Sequence, residues 1–288
     1  MIRNKPYSDD TKPIIYLVAT PIGNIEDITL RAIRILKEAD IICCEDTRNT
    51  SLLLKRLNIE NKKIYSLYAQ NEKENSKEII RKIKEEKLSL CYLSDAGMPG
   101  ISDPGSILVK EAYSNDVKVS VLPGPSAVIS SLVISSLDTS DFSFYGFLPT
   151  KENAKRNFLS SLAYRKETLI FYESPNRIKE TINIAKDVFS PERKACIVRE
   201  ISKIHEEVIS STLEELSSLK EEIKGEIVFL IEGTKEKEVM SDKQVILLLK
   251  EGIKEEKLSS LTKRISQISN RDRKEIYNLA LKFKGEDR

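Results

Sequence analysis

LSLCYLSDAGMPGISDPGSILVKEAY, residues Leu88 to Tyr113, decides the fold class. Its opening run, LSLCYL (Leu88–Leu93), is apolar and reads as a buried strand. Its closing run, SILVKEAY (Ser106–Tyr113), has the look of a helix. Between them, SDAGMPGISDPG (Ser94–Gly105) sets three glycines, two prolines and two aspartates in twelve residues. A strand that ends in a long stiff loop and restarts as a helix belongs to a parallel α/β sheet. In such sheets ligands sit beyond the carboxyl ends of the strands.

The same grammar extends outward. IIYLVA (Ile14–Ala19), IICC (Ile41–Cys44) and VKVSVL (Val117–Leu122) read as further strands, and ITLRAIRILKEA (Ile28–Ala39) as an amphipathic helix between two of them. This predicts a first α/β domain over residues 13–136. SLDTSDFSFYGFLPTKEN (Ser136–Asn153) reads as a crossover into a second α/β domain, 137–234. Its expected strands are ETLIFYE (Glu167–Glu173), KACIVRE (Lys194–Glu200) and GEIVFLIEG (Gly225–Gly233), with helices over Asn176–Asp187 and Leu213–Ile223. Residues 235–288 read as a small helical segment. Leu258, Leu261, Ile265 and Ile268 form an i, i+3, i+7, i+10 stripe, and IYNLALKF (Ile276–Phe283) is another helix.

Composition narrows the classes. The chain of 288 residues is 40% hydrophobic and 32% charged, with formal net charge +2, which fits a globular protein and excludes disorder. The final segment carries 14 basic and 10 acidic residues, so it is the basic part: a solvated helix surface or an RNA grip. None of Cys43, Cys44, Cys91 and Cys196 is spaced as C-x-x-C, so buried reduced thiols are expected and no metal site. The N-terminus lacks a signal-peptide apolar region, and no window approaches the roughly 20 apolar residues of a membrane span. A cytoplasmic protein with no membrane contact is the expectation. His205, the lone histidine, lies in polar SKIHEEV and reads as a surface residue.

Four strand-end loops could carry chemistry. ATPIGNIEDIT (Ala19–Thr29) lacks a G-x-G-x-x-G dinucleotide fingerprint. CEDTRNT (Cys44–Thr50) is either a functional cluster or a helix start capped by Asp46 or Thr47. SDAGMPGISDPG has no Lys or Arg, which argues against phosphate and for a ligand with positive charge near Asp95 or Asp103. LPGPSAV (Leu122–Val128) opens a helix whose free N–H groups suit a carboxylate or polar edge. At the strand ends of the second domain, Glu173 and Glu200 are candidate bases and Arg199 a phosphate or carboxylate partner. Interdomain salt bridges would explain these three equally well.

ATPIGNIEDIT, EDTR, SDAGMPGISDPG, LPGPSA, GFLP, FYESPNRI, REISKIHEE and GEIVFLIEG, in this order, resemble the tetrapyrrole-methylase-like (class III) methyltransferases, in particular the branch acting on small-subunit ribosomal RNA. The resemblance implies two α/β domains with a cofactor cleft between them. It also implies methyl transfer from S-adenosylmethionine to a cytidine ribose 2′-hydroxyl, and a homodimer acting on small-subunit RNA or the assembled subunit. Cofactor contacts implied by it are Asp95, Ala96, Gly97, Ser102, Ser126, Ala127 and Tyr172. RNA contacts are expected from Arg48, Arg156, Arg177, Lys263, Arg264, Arg271 and Arg273, with Asn71 and Glu72 carried over from the motif. Three departures stand out: LYAQNE (Leu67–Glu72) replaces a His-rich stretch, Met98 a common threonine, and Ser136 a frequent glycine. A tetrapyrrole methylase of the same fold, or a non-catalytic ribosome-assembly binder, are the competing classes.

Overall fold

The structure, a computed structural model, describes residues 2, 4–7, 12–234, 240–253, 256–269 and 271–286. The start of the expected helical segment, 235–239, lies outside them. Strands β1 (Ile14–Val18), β2 (Ile41–Cys44), β3 (Lys63–Ser66), β4 (Ser89–Leu93) and β5 (Lys118–Leu122) form one sheet ordered β3-β2-β4-β1-β5, parallel at every pairing. β2 and β4 are buried along their whole length, which is why they read as unbroken apolar runs. Val18 pairs with both Leu93 and Leu122, so β4, β1 and β5 end level and their loops emerge side by side.

The second sheet, ordered β6-β7-β10-β8-β9, is mixed. It contains β6 (Phe142–Phe147), β7 (Thr168–Glu173), β8 (Lys194–Arg199), β9 (Glu207–Thr212) and β10 (Ile227–Ile231). Only β6 and β7 pair in parallel; β10 runs against β7 and β8, and β9 against β8. Ile227 pairs with both Glu173 and Arg199, which brings the candidate catalytic residues to one edge. Three strands escape the sequence reading, β3, β6 and β9, and each is an edge strand. KIYS and EVISST are half polar because one side of each is wet, and FSFYGF sits in the segment read as a crossover. The expected helix over Leu213–Ile223 stops at Ser217.

Helix Ala127–Ile134 ties the two sheets together. It follows β5, yet its Val128 and Leu132 share a core with Ile170, Val198, Val228 and Leu230 of the second sheet. Ser136, just beyond it, holds φ +61, a left-handed conformation natural to glycine.

The final helices, Asp242–Gly252, Leu258–Ser269 and Arg273–Glu286, bury a core of their own from Val245, Leu249, Leu261, Ile265, Ile276 and Ala280. Of the expected stripe, Leu261 and Ile265 are buried, whereas Ile268 at its rim is 41% exposed. All four cysteines are buried and free, with burial pushing Cys91 up to about 12 and Cys196 up to about 11. Among the described residues no helix is long and apolar enough to cross a membrane.

Candidate active site

The Ser94–Gly105 loop is fixed at both ends. Near its start, Gly97 N–H donates to the Thr20 carbonyl at 3.1 Å, and Thr20 N–H returns a bond to the Gly97 carbonyl at 2.9 Å. Gly97 has φ +75, and a Cβ there would lie 3.3 Å from Ile22 Cγ2. The position therefore requires glycine. At the far end the loop opens helix Ser106–Ser114, whose N-cap, Gly105, has no side chain to cap it. Glu72, from helix Glu72–Glu85, does so instead. Its Oε1 accepts from the N–H groups of Gly105, Ile107 and Leu108 at 2.8, 2.9 and 3.2 Å. Glu72 is 4% exposed, so this is a buried carboxylate on a helix N-terminus.

Between this loop and the second sheet lies a cleft of about 390 Å³. Ala96, Gly97 and Ser102 line it from the loop, Ser126 and Ala127 from the next helix start, and Tyr172 from β7. Six of the seven expected cofactor residues thus meet in one place. The seventh does not: Asp95 points into a neighbouring hollow, where its carboxylate accepts from Asn49 Nδ2 at 2.9 Å and Asp46 N–H at 3.3 Å. Asp95 and the next residue, Ala96, thus line different spaces.

Asp103 also lines the cleft. Burial raises its carboxyl above the usual range, nearby Asp95 adds to this, and a hydrogen bond from Ser94 opposes it. Tyr172 is pushed up to about 12, mainly by burial and then by Asp103 and Glu226. It remains a neutral phenol, steadied by Phe144 and Phe147 with ring centroids at 4.9 and 5.4 Å. The cleft is mostly apolar, lined in part by backbone, and negative at one wall: an environment for a cationic ligand with a flat ring.

Glu173 lines the cleft, whereas Arg199 and Glu200, at the end of β8, do not, and all three are engaged with other groups. Glu173 is fully buried: Oε1 accepts from Ser174 N–H and faces Arg177 at 2.7 Å, and Oε2 accepts from Thr181 Oγ1 at 2.7 Å. Fully buried Lys155 lies 4.0 Å away. Arg199 pairs with Glu207 and donates to the Lys224 carbonyl. Glu200 accepts from Glu226 N–H at 2.8 Å and from Lys203 Nζ at 2.9 Å, and these bonds hold its carboxyl below the usual range. All three are engaged within the second domain, Glu173 with Arg177, Arg199 with Glu207 and Glu200 with Lys203, so these ion pairs are local and do not bridge the two domains.

The expected RNA contacts divide in two. Arg48 is 90% exposed at its side chain and leans on Asp46, the N-cap of helix Thr47–Arg56. Lys263 and Arg264 are exposed, with Arg264 paired to Glu256, and Arg156 is partly exposed between Glu152 and Asp187. Arg177, by contrast, is spent on Glu173, Ser174 and the Leu148 carbonyl. Arg271 is clamped by Asp242 and Glu275 with 9% exposure, and Arg273 donates to the Ser259 carbonyl. Asn71 accepts from Tyr68 N–H at the turn before Glu72. His205 is exposed.

The model of the tetrapyrrole (corrin/porphyrin) methylases matches residues 14–217. The chain belongs to this family. It is 40% identical over 273 residues to ribosomal RNA small subunit methyltransferase I of Streptococcus pyogenes serotype M3, covering 93% of this chain and 94% of that one. It is 44% identical over 230 residues to the protein of that name from Halalkalibacterium halodurans, covering 79% and 78%. A crystal structure of diphthine synthase superposes with a TM-score of 0.59 at 17% identity, over 79% of this chain and 91% of that one. That likeness is one of fold. As a member of a methylase family, the protein is a methyltransferase.

Proposed function

We propose that the protein transfers a methyl group from S-adenosylmethionine to the ribose 2′-hydroxyl of a cytidine in small-subunit ribosomal RNA. One observation carries the reading: relatives with that ribosomal name are about as long as this chain and 40% identical along nearly all of it. The cleft fits the donor by its own chemistry. The bare Gly97 backbone leaves room that a Cβ would fill, Ser126 starts a helix whose N–H groups suit a carboxylate, and Asp103 offers a negative charge to a sulfonium. Ala96, Gly97, Ser102, Ser126, Ala127 and Tyr172 would hold it.

When bound, S-adenosylmethionine supplies an electrophilic methyl group on a positively charged sulfur. The chain's part is chiefly positioning, which is where most of the acceleration of such a displacement arises. Tyr172 and Val228 wall the cleft against water, and Glu173, through Arg177 and Thr181, fixes the turn after β7 that forms its edge. Arg199 and Glu200 fix the neighbouring turn in the same way. In this reading residues 13–136 carry the donor loops, 137–234 the opposite wall, and 235–288 a basic module for RNA, acting in the cytoplasm. Arg48, Arg156, Lys263 and Arg264 supply phosphate contacts. Exposed apolar side chains on helix Ala127–Ile134, Ile129 at 47% and Val133 at 69%, support a homodimer.

The test is methyl transfer to small subunits from a strain lacking this protein, followed by mapping of ribose methylation. One new methylated cytidine is expected. A protein that binds the donor but modifies no ribosomal RNA would return the reading to a small-molecule methylase.

A further inference from the structure

On the other side of the Ser94–Gly97 segment from the donor cleft lies the second hollow, about 240 Å³ in volume. The partition is one residue thick in two places. Ile22 and Ala96 face the cleft, while their chain neighbours Gly23 and Asp95 face the hollow. Successive Cα atoms are about 3.8 Å apart, so residues lining the two spaces follow one another directly along the chain.

One face of helix Thr47–Arg56 closes the hollow with Asn49, Leu52, Leu53 and Arg56, which fall at i, i+3, i+4 and i+7. Leu52 is 52% exposed, and Pro21 supplies another apolar surface. Arg56 is exposed and enters no ion pair among the described residues. On the floor, the Asn49 amide donates to the Asp95 carboxylate at 2.9 Å, which sets a hydrogen-bond donor beside an acceptor.

We propose that this hollow receives the acceptor nucleotide, flipped out of its strand, and that Asp95 and Asn49 read its base. The inference rests on the RNA-methylating reading above. A cytosine presents an amino donor beside a ring-nitrogen acceptor on its Watson–Crick edge, the complement of the Asp95–Asn49 couple. Asp95 accepts from the amine and Asn49 donates to the ring nitrogen, as carboxylates and amides do in base readout. Leu52 and Pro21 cover the base faces, and Arg56 takes a flanking phosphate. The ribose then lies at the Ile22–Ala96 partition with its 2′-hydroxyl toward the donor cleft. Single-stranded or extruded nucleotides fit such a space, and a base pair does not. Asp95 is on this account a specificity residue for the acceptor, and the donor cleft does not use it.

The experiment compares Asp95→Asn and Arg56→Ala with the full-length wild type. Both side chains are exposed; asparagine keeps the size of aspartate but only one of its two acceptor oxygens, so the melt of Asp95→Asn should fall slightly while that of Arg56→Ala should match the wild type. Calorimetry with S-adenosylhomocysteine reads the donor cleft, and methyl transfer to unmodified small subunits at several salt concentrations reads the acceptor. Both variants should bind S-adenosylhomocysteine as the wild type does. Asp95→Asn should lose about 10- to 100-fold in kcat/KM for subunits, the worth of one paired base edge. Arg56→Ala should raise KM and flatten the salt slope by about one unit. Unchanged transfer by both variants overturns the proposal, as does a loss of S-adenosylhomocysteine affinity in Asp95→Asn equal to its loss of transfer. A wild type that binds S-adenosylhomocysteine but methylates no subunit fails at the earlier step and refutes the RNA reading itself.

Discussion

Replacing Glu72 with alanine removes one side chain and strips three backbone donors at once. Gly105, Ile107 and Leu108 N–H all end on the same oxygen, at 2.8 to 3.2 Å, in a site only 4% exposed. An ordinary N-cap is worth about 1 kcal/mol, up to about 2 in favourable cases. Here the acceptor is charged and buried, and hydrogen bonds to charged groups contribute about 1.5–3 kcal/mol each. Three bonds to one oxygen do not add, so about 3 kcal/mol is expected for Glu72→Ala. Glu72→Gln, which keeps an acceptor but not the charge, should cost about half as much. Because Gly105 closes the donor loop, the loss should be local before it is global. Hydrogen exchange over residues 105–114 is the direct assay. Protection there should fall by about 100-fold in Glu72→Ala, the equivalent of about 3 kcal/mol, and S-adenosylhomocysteine affinity should fall with it. Exchange within about fivefold of wild type, a difference of about 1 kcal/mol, would refute the idea that Glu72 anchors the loop.

Asp103→Asn should weaken S-adenosylmethionine about tenfold more than S-adenosylhomocysteine, because only the former carries the sulfonium charge; equal losses in calorimetry would disprove a charge role. The raised carboxyl of Asp103 means that folding disfavours its ionised form, so its stabilising contribution is complete below the usual aspartate range and disappears as pH rises through its folded value. Asp103→Asn should therefore be more stable than wild type at neutral pH, with the gain vanishing in acid, as read by urea midpoints. Gly97→Val should abolish S-adenosylhomocysteine binding and cost about 1–3 kcal/mol of stability, since φ +75 strains a β-branched residue; normal binding would show that the loop is only structural. Removing Ser241–Arg288, whose helices hold a separate core, should lower subunit affinity and its salt slope while leaving S-adenosylhomocysteine affinity unchanged. Identical slopes for the two proteins would reduce that segment to packing.

What the sequence made legible was whatever the chain states locally. LSLCYL is largely apolar because β4 is covered on both faces, and Gly97, Gly100 and Gly105 after it take the left-handed conformations that favour glycine. Hence the parallel sheet and the long loop after β4 are legible in the sequence. The edge strands β3 and β9 were not legible, since half of each faces water and leaves no periodic signal. Side-chain direction was equally hidden. Asp95 and Ala96 are adjacent in sequence and face different spaces, a fact set by the Thr20–Gly97 bridge and not by either residue.

The candidate bases show the same limit from the other side. Glu173 and Glu200 sit at strand ends, where catalytic carboxylates belong, yet beside near neighbours such as Arg177 and Lys203 each also has a partner from farther along the chain: Thr181 in the following helix, and the Glu226 backbone 26 residues on. A carboxylate's availability depends on what the fold has already aimed at it. Glu72 is the converse case. Sequence offered it only as the end of LYAQNE, a stretch that departs from the pattern the resemblance implies. Its oxygen is the one that closes the donor loop from 33 residues away. If the loop is the working part of the site, then Glu72 is required by the geometry of Gly105, which cannot cap its own helix, whereas no such bond depends on the side chains of the neighbouring Tyr68, Ala69 and Gln70.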